Sequence, residues 1–133
     1  RTIMLRATSL ALALLALPVA AAEPGAQVRV VSTAPLPDVP GKSITGVLVT
    51  YAPGGRSPAH HHAGSVMAFV LTGAIRSENS ATGPARVYRA GESFFEPPGS
   101  EHLVSENASA TEPASLLAVF VADDGAELTH FDR

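Results

Sequence analysis

The sequence contains no cysteine and no tryptophan, and aromatic residues make up only 5% of its 133 positions. The lack of cysteine excludes disulfide bonds, thiolate metal ligands and cysteine nucleophiles together, so any metal must be held by histidine, carboxylate, amide or water. Basic residues are also scarce: nine lysines and arginines stand against twelve acidic residues, and they form no run. Such a chain is a poor candidate for binding nucleic acid or an anionic membrane surface, and we expect neither as a partner.

The N-terminal segment has the pattern of a secretory signal peptide. Arg1 and Arg6 flank its start, the uncharged apolar run "SLALALLALPVA" follows, and small residues at 20–22 stand before Glu23. The apolar run is shorter than the about 20 residues that a membrane-spanning helix needs. We therefore predict a cleaved signal peptide at residues 1–22 and a periplasmic or secreted protein. An uncleaved anchor or a buried N-terminal helix is the alternative.

The remaining chain, residues 23–133, is predicted to form one all-β domain. It carries seven basic and twelve acidic residues, a net charge of −5. Short apolar and β-branched runs alternate with turn residues, in "QVRVVS", "SITGVLVTY", "SVMAFVLTG", "ARVYRAG", "SFFEPPG", "HLVSENAS" and "SLLAVFVAD". Short strands at this spacing are typical of a sandwich or a small barrel. Residues 34–43, with three prolines, are predicted to be a loop or arm, and residues 77–85 the loop between two strands.

Two of these runs are apolar on both faces of the predicted strand. In "VMAFVLTG", alternation places Val66, Ala68 and Val70 on one face of the strand. Met67, Phe69 and Leu71 then lie on the opposite face. "LLAVFVA" at residues 116–122 has the same property. A strand with two apolar faces is covered on both sides, which predicts a homodimer. The alternative is that the two sheets and the N-terminal arm supply all of the cover.

Three of the five histidines are consecutive, in "AHHHAG". On a strand, His60 and His62 would share one face while His61 points the other way. Two imidazoles are half of a metal site and need a third ligand, and His102 follows a Pro-Gly turn where another strand would begin. His130, in the C-terminal tail, is expected to be solvated. A polar turn without metal is the competing interpretation of the histidine run.

The stretch "GGRSPAHHHAGSVMAFVLTG", followed by "GESFFEPPGSEHLVSENAS", resembles the two motifs of the cupin family. The matching residues are Gly54, His60, His62 and Gly73 in the first motif, and Gly91, Pro97, Gly99 and His102 in the second. The resemblance covers about residues 51–107 and implies a double-stranded β-helix, the jelly-roll barrel of cupins. It also implies a divalent transition metal held by His60, His62 and His102, with Fe, Mn, Ni, Cu and Zn all open.

One position departs from the family pattern. Cupins commonly have a glutamate ligand a few residues after the first histidine pair, and Val66 occupies that position here. Three neutral histidines would leave the metal's full charge to water, hydroxide or an anionic ligand. Glu96 is the only carboxylate near the predicted pocket in the motif region. We expect it to be a solvated turn residue, with a role as general base or substitute ligand as the alternative.

These observations leave two classes of function open. The first is an exported metal-binding cupin that acts on or binds a small organic molecule, of the dioxygenase or a related oxidoreductase type if it is an enzyme. The second is a non-catalytic module whose apolar barrel, lined by residues such as Val66, Ala68, Val70 and Phe94, holds a small ligand. Tyr51 and Ser105 are polar enough to contact a ligand, but equally suit the core or the rim. A metal-free structural barrel is the third possibility.

Overall fold

The computed structural model describes residues 25–132, and the predicted signal peptide lies outside them. Within this range the chain forms eleven strands and no helix. The strands are β1 (Ala26–Pro35), β2 (Lys42–Tyr51), β3 (Arg56–Ser57), β4 (His60–His62), β5 (Ser65–Thr72), β6 (Ala74–Asn79), β7 (Gly83–Arg89), β8 (Ser93–Glu96), β9 (Glu101–Asn107), β10 (Ala114–Asp123) and β11 (Thr129–Phe131). In this described part, no helix has the length and apolar character needed to cross a membrane.

The strands form two antiparallel sheets, which confirms the predicted all-β jelly-roll barrel. The first sheet has the order β1-β2-β10-β5-β8, and the second has the order β11-β4-β9-β6-β7 with β3 paired to β9. Several neighbouring strands are far apart in the chain; β10, for example, lies between β2 and β5. This topology brings the histidine strand β4 next to β9, which carries the second cupin-like motif.

The two sheets bury side chains of different character. The first sheet contributes most of the apolar core, and its strand β5 buries Val66, Ala68 and Val70, as alternation predicts. The second sheet buries mostly polar groups: His60, Ser77, Asn79, His102, Ser105 and Asn107. Burying polar groups costs free energy unless each has a partner, and the partner can be a bound ligand or metal. We therefore expect a functional site on the inner face of the second sheet.

The predicted loop at residues 77–85 is too long. Strand β6 continues to Asn79 and β7 begins at Gly83, so that only residues 80–82 form the turn. The polar residues in this stretch belong to the strand because their side chains face the interior and are hydrogen-bonded there. Ser77 Oγ lies 2.8 Å from His102 Nε2, and Asn79 Oδ1 accepts a 2.9 Å bond from the Ala81 N–H. The loop predicted at residues 34–43 likewise shrinks to residues 36–41, because β1 and β2 pair as far as Pro35 and Ser43.

Glycines bound strand β5 at both ends. Gly64 and Gly73 have positive φ angles of 76° and 69°, a backbone conformation that residues with a Cβ rarely adopt. An added Cβ at Gly73 would lie 2.6 Å from the Pro113 carbonyl oxygen, and one at Gly64 would collide with the Val121 carbonyl. The backbone therefore turns tightly on both sides of β5, which determines where its inward side chains lie.

Candidate metal centre

His60, His62 and His102 converge on the inner face of the second sheet. His60 and His102 are direct partners across the β4–β9 pair, and His62 follows on the same face of β4. One ligand nitrogen from each of the three lies within 4.8 Å of the others. His61 points away and its Nδ1 lies 2.9 Å from Asp132 Oδ1 at the surface. The structure therefore brings together the three histidines that the spacing predicted and leaves the fourth outside.

Backbone carbonyls fix the tautomers of the two β4 histidines. His60 Nδ1 lies 2.7 Å from the Pro58 carbonyl oxygen, and His62 Nδ1 lies 3.0 Å from that of Leu128. A carbonyl oxygen only accepts, so each Nδ1 carries its hydrogen and donates. The neutral rings then present bare Nε2 lone pairs, and these two nitrogens are 3.1 Å apart. Two lone pairs this close repel each other unless a cation, either a proton or a metal ion, lies beside both.

A proton is disfavoured at this position. The pKa of His60 is lowered to about 4, chiefly by burial; His102 and His62 also lower it, whereas the Pro58 carbonyl and Glu96 oppose the shift. Burial also lowers the pKa of His62, against the opposing charge of Glu96. Both rings are therefore neutral near pH 7, with lone pairs ready to bind a metal.

The third histidine has a buried ring nitrogen that no hydrogen bond satisfies. His102 Nε2 lies 2.8 Å from Ser77 Oγ, while its buried Nδ1 has no hydrogen-bond partner. Glu96 Oε1 lies 2.9 Å from that nitrogen, but the contact is not aligned as a hydrogen bond. A buried polar atom without a partner is costly, and ligation of a metal by Nδ1 would satisfy it. The three residues therefore fit a divalent transition metal.

Glu96 is buried at the metal centre, and the expectation of a solvated turn glutamate is wrong. Its side chain is 4% exposed because it alternates with Phe94 on the inner side of β8, and the turn begins only after it. Besides the His102 contact, Glu96 Oε2 lies 3.6 Å from His62 Nε2. Burial raises the pKa of Glu96, but the contact with His102 and the charges of the neighbouring histidines outweigh it and lower the pKa overall.

A cavity of about 300 Å³ adjoins the histidines. Its apolar wall comes from all five strands of the first sheet and from β11: Val28, Val47, Val49, Ala68, Phe94, Leu116, Ala118, Phe120 and Phe131. The polar wall consists of the metal-centre residues and a group of hydroxyls, in which Tyr51 Oη lies 2.7 Å from Ser57 Oγ and 2.8 Å from Ser105 Oγ. Burial raises the pKa of Tyr51, although both hydrogen bonds lower it, so the phenol stays protonated near neutral pH.

Sequence comparison identifies the family. A family model described as "Cupin domain" matches residues 47–120, more than half of the chain. The chain belongs to the cupin family. A search of curated protein sequences finds no significant match to this cupin.

Solved structures with the same fold include enzymes. Oxalate oxidase, in complex with the substrate analogue glycolate, is 25% identical with a TM-score of 0.62; the match covers 80% of this cupin and 55% of that chain. This cupin thus spans about half the length of oxalate oxidase. A cupin 2 conserved barrel domain protein from Salinispora arenicola CNS-205 is 26% identical, with a TM-score of 0.56 and coverage of 74% and 76%. KdgF from Halomonas sp. is 24% identical, with a TM-score of 0.60 and coverage of 74% and 82%, and supports the fold alone.

Of the four residues predicted to line an apolar pocket in this cupin, two do so. Ala68 and Phe94 contact the cavity, whereas Val66 and Val70 are buried in the core beside it. Val66 and Val70 are too tightly packed to be reached, at 1% and 0% exposure. The candidates Tyr51 and Ser105 are both buried side chains that line the cavity.

Strand β11 is a part of the site that sequence reasoning missed. The prediction that His130 is solvated is confirmed, since its side chain is exposed. The residues on either side, Thr129 and Phe131, line the cavity, and the Phe131 ring centroid lies 5.8 Å from that of His60. Three residues of mixed polarity carry no strand signal, and only the pairing of β11 with β4 reveals their position.

Proposed function

We propose that this cupin binds a divalent transition metal through His60, His62 and His102 and uses it on a small organic molecule. The observation that carries the proposal is the pair of Nε2 atoms 3.1 Å apart, whose protons are held on the opposite nitrogens by the Pro58 and Leu128 carbonyls. These carbonyls orient both rings before any metal arrives, as second-shell groups do in metal sites. The identity of the metal, among Fe, Mn, Ni, Cu and Zn, is left to experiment.

The cavity favours a substrate with an apolar body and one polar end. No lysine or arginine is among the described residues that line it, so nothing but the metal would neutralise an anionic group. A small dianion is therefore a poor fit, and a largely apolar molecule with a single oxygen donor is a better one. Tyr51, with Ser57 and Ser105, is placed to donate a hydrogen bond to that oxygen.

The reaction type that we propose is an oxidation by an oxygenase-like metalloenzyme. A bound metal with open positions supplies Lewis-acid or oxygen-activating chemistry. The residues of the chain bind the substrate against the apolar wall, exclude water from it and hold a phenol proton at Tyr51. The likeness to oxalate oxidase supports a metal-dependent oxidoreductase.

A non-catalytic binding module is the second candidate. The apolar cavity favours it, because beyond the buried Glu96, the histidines and the hydroxyl group around Tyr51, the described lining residues offer no acid or base. In that case the metal would bind one oxygen of the ligand, and the ligand would not be converted to a product.

Elemental analysis tests the metal. Residues 23–133, purified without a histidine tag and incubated with Fe, Mn, Ni, Cu and Zn salts in turn, should hold about one equivalent of metal. The His60→Ala/His62→Ala double variant should hold almost none. Lack of metal in the parent would contradict the proposal. Turnover of phenols, hydroxy acids and diketones by the loaded protein, compared under air and under nitrogen, then separates an oxygenase from a binding module.

We further propose that the protein is exported and forms a homodimer. Export is supported by the signal pattern at residues 1–22 and implies a periplasmic or secreted location. Dimer formation is supported by the outer face of the first sheet, where Met67, Phe69, Leu71 and Phe95 are 39–51% exposed. Met67 pairs with Phe95 on β8 and with Val119 on β10, so the exposed side chains form a continuous apolar surface. A second copy that presents the same face would cover it.

A further inference from the structure

Glu96 is a buried carboxylate, and within residues 25–132 no lysine or arginine forms an ion pair with it. Its side chain is 4% exposed, and its only ion-pair contacts in residues 25–132 are with His62 and His102. Asn79 Nδ2 donates to Oε1 over 3.4 Å, which is a weak hydrogen bond. A buried carboxylate in this state requires a compensating positive charge.

The positions of its two oxygens show where that charge would lie. Oε1 is 2.9 Å from the unpaired Nδ1 of His102, and Oε2 is 3.6 Å from the bare Nε2 of His62. These are two of the nitrogens assigned to the metal. A cation that contacts both nitrogens is therefore also within reach of the carboxylate.

We propose that Glu96 is the fourth protein ligand of the metal, supplied by β8. The inference rests on the proposed metal site at the three histidines. Glu96 is the Cα partner of Val66 across the β5–β8 pair, and directly opposed residues on antiparallel strands point to the same face. A carboxylate at either position would enter the same interior. The ligand set is then three imidazoles and one carboxylate, and it neutralises half of the charge of a divalent ion.

This ligand set has a consequence for metal preference. Carboxylate oxygens suit harder ions such as Mn²⁺, whereas imidazole nitrogens alone suffice for Cu²⁺ and Zn²⁺. Loss of the Glu96 carboxylate should therefore weaken Mn²⁺ binding more than Cu²⁺ binding. If Glu96 only oriented His102, loss of its carboxylate would weaken the binding of Mn²⁺ and Cu²⁺ to the same extent.

The test compares Glu96→Gln with a matched control, Glu101→Gln. Glu101 is an exposed glutamate one residue before His102, so its substitution makes the same chemical change outside the site. Residues 23–133 are stripped with EDTA, and Mn²⁺ binding is followed by electron paramagnetic resonance and Cu²⁺ binding by competition with a chelator. Co²⁺ is added separately, because its d–d absorption reports the ligand set directly.

We expect Glu96→Gln to raise the Mn²⁺ dissociation constant at least about 10-fold, with a smaller change for Cu²⁺ and an altered Co²⁺ spectrum. The Glu101→Gln protein should match the parent in all three. Equal losses for both ions with an unchanged Co²⁺ spectrum would overturn the inference and make Glu96 a positioning residue. An unaffected Glu96→Gln protein would also overturn it. A parent that binds no metal would overturn the proposed function itself, which is a different result.

A position exchange gives a second measurement. In Glu96→Val/Val66→Glu the carboxylate moves across the strand pair and keeps the same volume in the core. Recovery of Mn²⁺ affinity relative to Glu96→Val would support direct ligation, because a group that merely orients His102 would not act from β5. Failure to recover in a folded double variant, judged by circular dichroism, would count against it.

Discussion

Val66 and Glu96 lie directly opposite each other on adjacent antiparallel strands, and both side chains are buried. The Glu96 carboxylate lies 2.9 Å from His102 Nδ1 and 3.6 Å from His62 Nε2. Because water is excluded, each charge interaction at this point is stronger than it would be at the surface. The charge of Glu96 therefore acts strongly on the two histidines.

A second carboxylate at this position should destabilise the metal-free protein. In Val66→Glu, two glutamates face each other in the core, so one must take up a proton or the two repel. We expect the free energy of unfolding to fall by about 2 kcal/mol or more in EDTA, and part of the loss to be regained with metal. Thermal melts with and without metal check this. A melting temperature equal to that of the parent in EDTA would contradict it, and Val66→Gln controls for size.

The metal-free protein should lose stability in mild acid. The pKa of His60 is about 4 when folded and near its ordinary value of 6.5 when unfolded, so the unfolded chain binds the proton more readily. Stability is therefore full above about pH 6.5 and falls as the pH drops towards 4, by at most about 3 kcal/mol from this ring. His62, His102 and Glu96 face His60, and the lowered pKa values of His62 and Glu96 act in the same direction.

Urea unfolding in EDTA at several pH values between 7.5 and 4.5 measures this dependence. The His60→Asn variant is the control, because an amide does not titrate, and it should show a shallower slope. Equal slopes in the two proteins would contradict the assignment to His60.

Strand β11 should contribute to metal affinity through His62. The Leu128 carbonyl and the Thr129 hydroxyl lie 3.0 and 3.1 Å from His62 Nδ1 and hold its tautomer. Removal of residues 127–133 should raise the metal dissociation constant about 10- to 100-fold, the usual effect of losing groups that orient a ligand. Thr129→Val, which keeps the carbonyl, should change it less. Isothermal titration provides the values, and an unchanged constant in the truncated protein would refute the role.

The outer face of the first sheet should mediate dimer formation. Phe69→Lys places a charge in the centre of the apolar surface and should convert the dimer to a monomer. Leu103→Lys is the matched control, since Leu103 is similarly exposed, at 40%, but belongs to the second sheet. Light scattering after size-exclusion chromatography measures the mass of each. A monomeric parent, or a Phe69→Lys protein that stays dimeric, would exclude this interface.

The sequence by itself determined the strand character of the chain, the inward set Val66, Ala68 and Val70, and the three converging histidines. These follow from local rules, because alternation places side chains on faces and because two histidines two residues apart share a face. The spacing of the two cupin motifs linked the histidines across the chain. The alternation signals lie within single runs of residues, and the resemblance to the two cupin motifs connects two of these runs.

Only the tertiary structure decided the role of Glu96, the contribution of β11 and the true length of the loop after β6. Each depends on which strands are neighbours, and pairing between segments distant in the chain leaves no local trace. Glu96 stands before two prolines and resembles a turn residue, until β8 is placed beside β5 and its side chain is found opposite Val66. Ser77 and Asn79 resemble a loop for the same reason, since their partners come from β9 and the turn at residues 80–82. Polar residues in this chain therefore lie in its interior as well as at its surface, and only strand pairing distinguishes the two.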